Sequence, residues 1–251
     1  MAFRRIAQFL IAACMLIIYL LLTHFRKTRI PYIKRQPALD AIDEAIGRCV
    51  ELDRPININP GTASILGGGL GVIAGLNVLN YTVKRAAKLG AKFFVLVMQP
   101  EVFPLIQGIV REALNSEGQE LALDHVRFIS QTPGAFQVGS LAQIVREKVG
   151  ANIVIGSFEG WSLPMMIAGN IVGAVNIGGE PGLASTMVVT CDYYLMADEV
   201  YAMGAYLSKD KVEILGIKTC DISKMVCMAF IILGIIFAIF NNRLLLDWLS
   251  I

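Results

Sequence analysis

Between its two ends, the chain alternates between short apolar runs and longer segments in which apolar residues recur every three or four positions. Runs that are apolar throughout predict buried strands, and the three-to-four spacing predicts amphipathic helices. The predicted strands are Pro55–Asn59, Lys92–Met98, Val126–Ser130, Asn152–Phe158, Gly173–Ile177 and Met187–Thr190. The predicted helices are Ala38–Glu51, the glycine-rich segment that ends at about Lys88, Glu101–Leu114, Val138–Lys148, Ser162–Ile171 and Asp198–Leu207.

Strands that are apolar on both faces and alternate with helices are typical of a parallel sheet covered on both sides. The pattern therefore predicts an α/β fold, a Rossmann-like three-layer sandwich with a mostly parallel sheet. Pro60-Gly61 is predicted to end the first strand, and Gly90 and Gly150 to cap the helices that precede them.

The N-terminal end predicts a membrane span. From Ile6 to Phe25 there is no Asp, Glu, Lys or Arg, and a helix of about 20 residues crosses the hydrocarbon core. A cleaved signal peptide is the alternative, but the apolar run is long and no small-x-small cleavage site follows it. Basic residues are more numerous after the span than before it, which predicts an external N-terminus. Those after it are Arg26, Lys27, Arg29, Lys34 and Arg35.

The C-terminal end contains a second, shorter apolar run, Met225–Phe240. Basic residues again lie mainly on the side of the central domain, so both ends predict a cytoplasmic domain and external termini. A buried or interfacial helix is the alternative for this end. The predicted organisation is an N-terminal transmembrane anchor (1–27), a linker (28–37), a cytoplasmic α/β domain (38–221), and a C-terminal transmembrane helix with an interfacial tail (222–251).

Two inner stretches also lack charge, Pro55–Val83 and Gly160–Gly179. A crossing by the first would place Lys84, Arg85 and Lys88 outside, against the positive-inside tendency. The second contains Pro164 and Asn170. We interpret both stretches as buried parts of the domain core rather than as further spans.

Composition narrows the possible functions. Hydrophobic residues make up 55% of the chain and charged residues 17%, and the net charge is +2. The basic residues cluster beside the predicted spans, so no nucleic-acid partner is expected. The five cysteines include no CxxC pair, which indicates a reducing compartment and no disulfide framework. With only His24 and His125, a histidine-dependent triad or a His-rich zinc site is not expected, and we predict no metal.

Candidate chemistry lies after the predicted strands, because ligands of open parallel sheets bind beyond the carboxyl ends of the strands. Thr62 and Ser64 follow the first strand and lead into a helix, where backbone N–H groups can hold a phosphate or carboxylate. The glycines Gly69-x-Gly71-x-x-x-Gly75 miss the dinucleotide-binding spacing by one residue. The alternative is that these small residues let the helix pack closely on the sheet or on another subunit.

Three acidic residues form a second candidate set. Glu159, Glu180 and Asp192 are each predicted near the carboxyl edge of the sheet in apolar surroundings, where ionised carboxylates need partners. Together they would bind a cation, an amine or a hydroxyl-rich ligand. The alternative is that each caps a helix or turn.

Several segments resemble an uncharacterised prokaryotic family of membrane-anchored domains of unknown function, family number 6754. The resemblance rests on Pro37–Glu51, Arg54-Pro55, Pro60-Gly61, Ile155–Glu159, Cys191–Leu195, Asp198–Leu207 and Asp221. It implies a membrane-tethered α/β domain in a prokaryotic cell membrane and brings no catalytic assignment. Its matching polar positions are Glu159, Asp192, Glu199 and Tyr206. The family pattern has a glycine before the acidic pair Asp198-Glu199, where this chain has Ala197.

Two function classes remain, with no cofactor assigned to either. The first is a non-catalytic module that self-associates or docks other membrane-complex subunits while its anchors hold it on the lipid bilayer. The second is an enzyme or sensor for a small polar or phosphorylated ligand at the strand ends, with Thr62, Ser64, Glu159, Glu180, Asp192 and Glu199 as candidate ligand-binding residues. A transporter or channel is disfavoured, because neither predicted span has an internal charged residue.

Overall fold

The computed structural model describes residues 16, 18–20, 36–158, 160–182 and 186–239. The described residues from 36 to 208 belong to one compact unit, and residues 209–239 belong to a second. The first unit contains all six strands, so we call it the sheet domain. The predicted domain boundaries stay a prediction.

Strands and helices alternate along the sheet domain. The strands are β1 (Ile56–Gly61), β2 (Phe93–Val97), β3 (Val126–Phe128), β4 (Ala151–Ser157), β5 (Val175–Glu180) and β6 (Tyr193–Met196). The helices are α1 (Pro37–Glu51), α2 (Ile65–Leu89), α3 (Phe103–Asn115), α4 (Pro133–Glu147), α5 (Leu163–Val172) and α6 (Asp198–Ser208). Two short 3-10 helices, Leu123–His125 and Thr186–Val189, precede β3 and β6.

The six strands form one sheet in the order β3-β2-β1-β4-β5-β6, and every neighbouring pair is parallel. The α/β prediction is confirmed, and the arrangement is consistent with a Rossmann-like fold. The direction of winding reverses between β1 and β4, since β1 pairs with β2 on one side and with β4 on the other. Ligands of such sheets bind at this reversal point, beyond the carboxyl ends of the strands.

Helices cover both faces of the sheet. Residues of α1, α2, α3 and α6 share one hydrophobic core with one face, and residues of α4 and α5 share a second core with the other. Alternation along β1 explains the division, because successive side chains of a strand point to opposite faces. Ile56 and Ile58 belong to the first core. Asn57 and Asn59 alternate with them and are also buried.

Two predictions about local structure are wrong. The predicted strand Met187–Thr190 is instead the 3-10 helix Thr186–Val189, followed by a turn, and β6 begins later, at Tyr193. A short apolar run fits a strand and a helical turn equally well, so periodicity alone does not separate them. Gly150 does not cap α4: that helix ends at Glu147, and its C-cap is Lys148, which adopts the left-handed conformation with φ of 50°.

A row of asparagines crosses the centre of the sheet. Asn57, Asn152 and Asn176 are fully buried, and neighbouring strands hold them in register. Asn57 Nδ2 donates to Asn152 Oδ1 at 2.7 Å, and Asn152 Nδ2 donates to Asn176 Oδ1 at 2.9 Å. Asn152 Nδ2 also donates to the Met165 carbonyl, which connects the row to α5. We call these three side chains the asparagine ladder.

Helix α2 approaches the sheet closely through glycines. A Cβ atom at Gly75 would collide with the Pro60 carbonyl oxygen and lie 2.7 Å from that of Ile155. A Cβ atom at Gly71 would lie 3.0 Å from Pro181 and 3.2 Å from Ser157 Cβ. These glycines therefore serve helix-to-sheet packing.

Ala197, between β6 and α6, has a φ of 47°. A side chain in this left-handed region costs about 1–2 kcal/mol per residue, whereas glycine adopts it freely but loses more chain entropy on folding. We expect Ala197→Gly to stabilise the fold by about 0.5–1 kcal/mol, measured as a shift in the denaturant midpoint.

The control is Ala142→Gly, in the exposed interior of α4, which should instead destabilise the fold by about 1 kcal/mol. A loss of stability in both variants would contradict the backbone geometry at Ala197.

The second unit contains a long helix, α7 (Lys211–Ile239). Asp210 caps its start, with Oδ1 accepting from Val212 N at 2.6 Å. Its later turns expose apolar side chains, with Met225 at 66% and Ile231 at 62%. Nevertheless, none of the helices in the described part of the chain is both long and apolar enough to traverse a bilayer. The predicted first span, Ile6–Phe25, lies almost entirely outside the described residues.

Candidate functional site

The carboxyl ends of β1 and β4 meet at the reversal point of the sheet. Gly61 pairs with Ser157 after a break in the register of the two strands. Gly156 has a φ of 152°, and a Cβ atom there would collide with the Pro60 carbonyl oxygen. The two strand ends are thus closer to each other than residues with side chains would allow.

Thr62 joins the two loops that leave this point. It is 2% exposed, its N–H donates to the Ser157 carbonyl at 2.9 Å, and its hydroxyl donates to the Phe158 carbonyl at 3.0 Å. Ala63 N donates to the same Ser157 carbonyl at 3.0 Å. Gln99, from the loop after β2, donates to the Thr62 carbonyl at 3.1 Å. Loop-to-loop hydrogen bonds therefore occupy the polar groups of Thr62 at the place where a Rossmann-type ligand would enter.

Ser64 is the N-cap of α2. Its hydroxyl accepts from Gly67 N at 3.0 Å, which satisfies one of the free N–H groups at the helix start. Ile65 N donates to a carboxylate oxygen of Glu101 at 3.3 Å. An anion arriving here would have to displace these acceptors and approach the negative charge of Glu101.

Glu180 ends β5 and is 7% exposed. Its Oε1 accepts long hydrogen bonds from Phe158 N at 3.3 Å and Gly160 N at 3.5 Å. The carboxylate thereby ties the loop after β4 to the end of β5. A buried ionised carboxylate is stabilised by such N–H donors, so Glu180 has a role in holding the loop.

Asp192 lies elsewhere, because it precedes β6 instead of following a strand. Its Oδ2 accepts from Asn176 N at 2.8 Å, near the start of β5. Asn176 and Glu180 are four residues apart on this strand, about 13 Å at the usual strand rise. The expectation that Asp192 shares the carboxyl edge with Glu180 is therefore wrong, and its cause is the misassigned strand Met187–Thr190.

The remaining acidic candidates are Glu199 and Glu159, and Glu199 does not extend a cluster at Glu180. Glu199 is exposed, and its Oε2 accepts from Met196 N at 2.9 Å, a capping contact at the start of α6. Glu159 is outside the described residues. Within the described ranges, no group of three or more His, Cys, Asp or Glu side chains is placed to hold a metal ion.

The surroundings of His125 and of the buried Cys49 indicate packing roles for both side chains. His125 Nδ1 accepts from Ala122 N at 3.1 Å, and its ring stacks on Phe93 at a centroid distance of 4.7 Å. Burial lowers the pKa of His125, partly offset by Asp124, so the neutral ring is favoured. Burial raises the pKa of Cys49 to about 11 despite the nearby Arg54. Neither side chain has the environment of an activated base or nucleophile.

The first turns of α2 expose a group of apolar side chains. Leu66 is 95% exposed and Leu70 is 65% exposed, in a stretch that we expected to be buried. That expectation holds for β1 but is wrong for the start of α2. The backbone also departs from helical geometry at Gly69, with φ of 46° and ψ of −123°. We define the α2 patch as Ile65, Leu66, Leu70 and Ile73.

Of three comparisons with known proteins, the comparison with protein-family profiles gives a match. A family profile described as a domain of unknown function (DUF6754) matches residues 1–249. No curated protein and no solved structure matches the chain significantly.

Proposed function

The chain belongs to the DUF6754 family of domains of unknown function, and on that premise we propose that it is a membrane-anchored module whose sheet domain self-associates through the α2 patch. In this proposal the sheet domain acts as an oligomeric scaffold in the cytoplasm of a prokaryotic cell. The flanking segments anchor it to the cell membrane, with both termini outside.

The exposure of the α2 patch carries the proposal. Leu66 and Leu70 extend from a glycine-rich helix start at 95% and 65% exposure. Contiguous exposed apolar side chains of this kind typically mark an interaction surface, because water contact costs free energy that a partner removes. The patch lies at the end of the sheet where a small ligand would be expected, but its apolar side chains suit contact with a protein surface better than contact with a polar ligand.

A second copy of the chain is the partner that this surface fits. The patch lies within Pro55–Val83, which contains no charged residue. A two-fold interface places the same patch on both subunits, so like charges within it would repel each other. The four side chains of the patch carry no charge and avoid that repulsion, with the Glu101 carboxylate adjacent at Ile65 N, and the glycines at positions 67 and 69 let two backbones approach closely.

The geometry of the reversal point also favours a scaffold over an enzyme. The polar groups of Thr62, Ser64 and Gln99 are engaged in hydrogen bonds within the protein. A catalytic or ligand-binding site normally presents such groups to a cleft. Here they hold the loops together.

Membrane anchoring is supported by the composition of the two ends. The family match extends through both terminal segments as well as the sheet domain. Among the described side chains of α7 from Met225 onwards, the exposed ones are apolar and include Ile231 and Ile235. The two-span arrangement is part of the proposal.

The first test compares the mass of the full-length protein and two variants in mild detergent by native mass spectrometry and light scattering. We expect the wild type to form a discrete oligomer and the double variant Leu66→Ser/Leu70→Ser to dissociate. Its dissociation constant should rise at least about 100-fold, because two leucines buried in the interface contribute about 3 kcal/mol or more to association. Leu123→Ser is the control, because Leu123 is 97% exposed but lies outside the α2 patch. It should behave as the wild type does.

Two results would contradict self-association through this patch. One is a monomeric wild type, and the other is equal dissociation of the patch variant and the Leu123→Ser control. A reproducible added mass on the wild type, lost in Glu180→Gln, would support the alternative of an enzyme or sensor. The buried carboxylate of Glu180 at the carboxyl edge is the observation that favours this alternative.

A further inference from the structure

Three sulfur-containing side chains meet beside Gly178, between α5, β5 and the segment before β6. Cys191 Sγ lies 3.8 Å from Met166 Sδ. A Cβ atom at Gly178 would collide with Cys191 Sγ and lie 3.0 Å from Met187 Sδ and 3.1 Å from Met166 Cε. The absence of a side chain at Gly178 leaves the space that these sulfur-containing side chains occupy.

Local backbone structure brings two of the three sulfurs together. Cys191 N and Thr190 N both donate to the Met187 carbonyl, at 3.0 and 2.9 Å. Residues four apart in a helical turn project from the same side. Met187 and Cys191 therefore present their side chains together toward Met166 of α5.

The turn is held in place by asparagines. Asn170 Nδ2 and Asn176 Nδ2 each donate to the Thr190 carbonyl at 3.2 Å. Asn152 Nδ2 lies 3.8 Å from Met166 Sδ. A ligand set that is fixed by surrounding hydrogen bonds loses little conformational freedom when an ion binds.

We propose that Cys191, Met166 and Met187 form a binding site for a soft monovalent metal ion of the Cu(I) class. Thiolate and thioether sulfurs are the ligands that select Cu(I), and carboxylates and histidines are not required. Two sulfurs 3.8 Å apart, each about 2.3 Å from one ion, subtend about 110° at it, an angle that tetrahedral or near-trigonal coordination accepts. Met187 supplies the third ligand.

The burial of the three residues fits ion entry from one side. Met166 and Met187 are fully buried, whereas Cys191 is partly exposed. On binding, Cu⁺ forms a bond to Cys191 Sγ and the thiol proton is released to water, so charge and atoms balance. The two thioethers donate lone pairs without losing a proton.

The test uses the full-length protein, kept anaerobic, with Cu(I) supplied in competition with a chromogenic chelator. We expect one Cu(I) per chain at this site and an all-sulfur shell in X-ray absorption. Cys191→Ser should weaken binding about 100-fold or more, and Met166→Leu and Met187→Leu about tenfold or more each. Cys49→Ser and Cys220→Ser serve as matched cysteine controls and should leave the affinity unchanged.

Several outcomes would overturn the proposal. Binding that survives in Cys191→Ser, or that is lost equally in Cys49→Ser, would place the ion elsewhere. Unchanged affinity in both methionine variants would indicate a simple thiol adduct. The X-ray absorption spectrum of the wild type gives a result independent of variant folding, because a shell dominated by nitrogen or oxygen excludes this ligand set.

Discussion

Replacing Gly75 by alanine is expected to destabilise the sheet domain by about 3 kcal/mol. The added methyl group would meet the carbonyl oxygens of Pro60 and Ile155, at the ends of β1 and β4. Both obstacles are backbone atoms of central strands, so neither can move aside as a flexible side chain would. Helix α2 would have to shift away from the sheet and lose contacts along its buried face, which includes Val78 and Leu79.

Thermal unfolding followed by circular dichroism measures this effect. A loss of about 3 kcal/mol lowers the melting temperature by roughly 6–12 °C in a domain of this size. Gly108→Ala is the matched control, because no heavy atom lies within 4 Å of the position its Cβ would take. In the exposed interior of α3 it should raise stability by about 0.5–1 kcal/mol. Equal melting temperatures for Gly75→Ala and wild type would contradict the close packing of α2.

The second large effect is expected in the asparagine ladder. Asn152→Leu keeps a similar volume but removes the partner of Asn57 Nδ2, Met165 O and Asn176 Oδ1. Each buried polar group left without a partner costs about 1–3 kcal/mol. The variant should therefore lose about 3–5 kcal/mol, measured by denaturant unfolding. Asn115→Leu, at an exposed position, should change stability by no more than about 0.5 kcal/mol.

A double-mutant cycle separates the ladder from general core damage. Asn57 Nδ2 donates to Asn152 Oδ1, while Asn57 Oδ1 is buried without a hydrogen-bond partner. Once Asn152 is replaced, Asn57→Val removes an amide that has already lost its acceptor, and the second substitution should cost little or even stabilise. Fully additive losses would show that the hydrogen bond across β1 and β4 contributes nothing.

The architecture of the sheet domain is largely readable from the sequence. Phe93–Val97 is apolar at every position and buried at every position, as a strand in a parallel sheet covered on both faces must be. Gly90 ends α2 in the left-handed conformation that glycine favours. These signals are local, and tertiary structure agrees with them.

The sequence does not reveal the last strand, because β6 is an edge strand. Of Tyr193–Met196, only Leu195 is fully buried, so the segment lacks the continuous apolar run that marks a central strand. Met187–Thr190 has that apolar character but folds as a helical turn whose Met187 fills the second core. Misplacing this strand also misplaced Asp192, and with it the predicted acidic cluster.

The site was less predictable than the fold because its contacts join distant parts of the chain. The hydroxyl of Thr62 donates to the carbonyl of Phe158, 96 residues further along the chain. No local sequence pattern predicts such a hydrogen bond. The left-handed backbone at position 197 is likewise not predictable from the sequence, because alanine does not favour that conformation. The family pattern has a glycine at this position, and that glycine indicates a left-handed backbone that the alanine of this chain does not.

The strand order also sets the time at which the sheet can begin to close during synthesis. The centre of the sheet is the β1–β4 pair, and Ile56 aligns with Ala151, 95 residues later. A ribosome adding about 5–20 residues per second needs about 5–20 s to cover that interval. Throughout it, β1 and the uncharged segment Pro55–Val83 lack β4 and its covering helices. The nascent chain thus passes through a stage in which this central strand is open on the side that β4 later covers, when a chaperone or early pairing with β2 must protect it from aggregation.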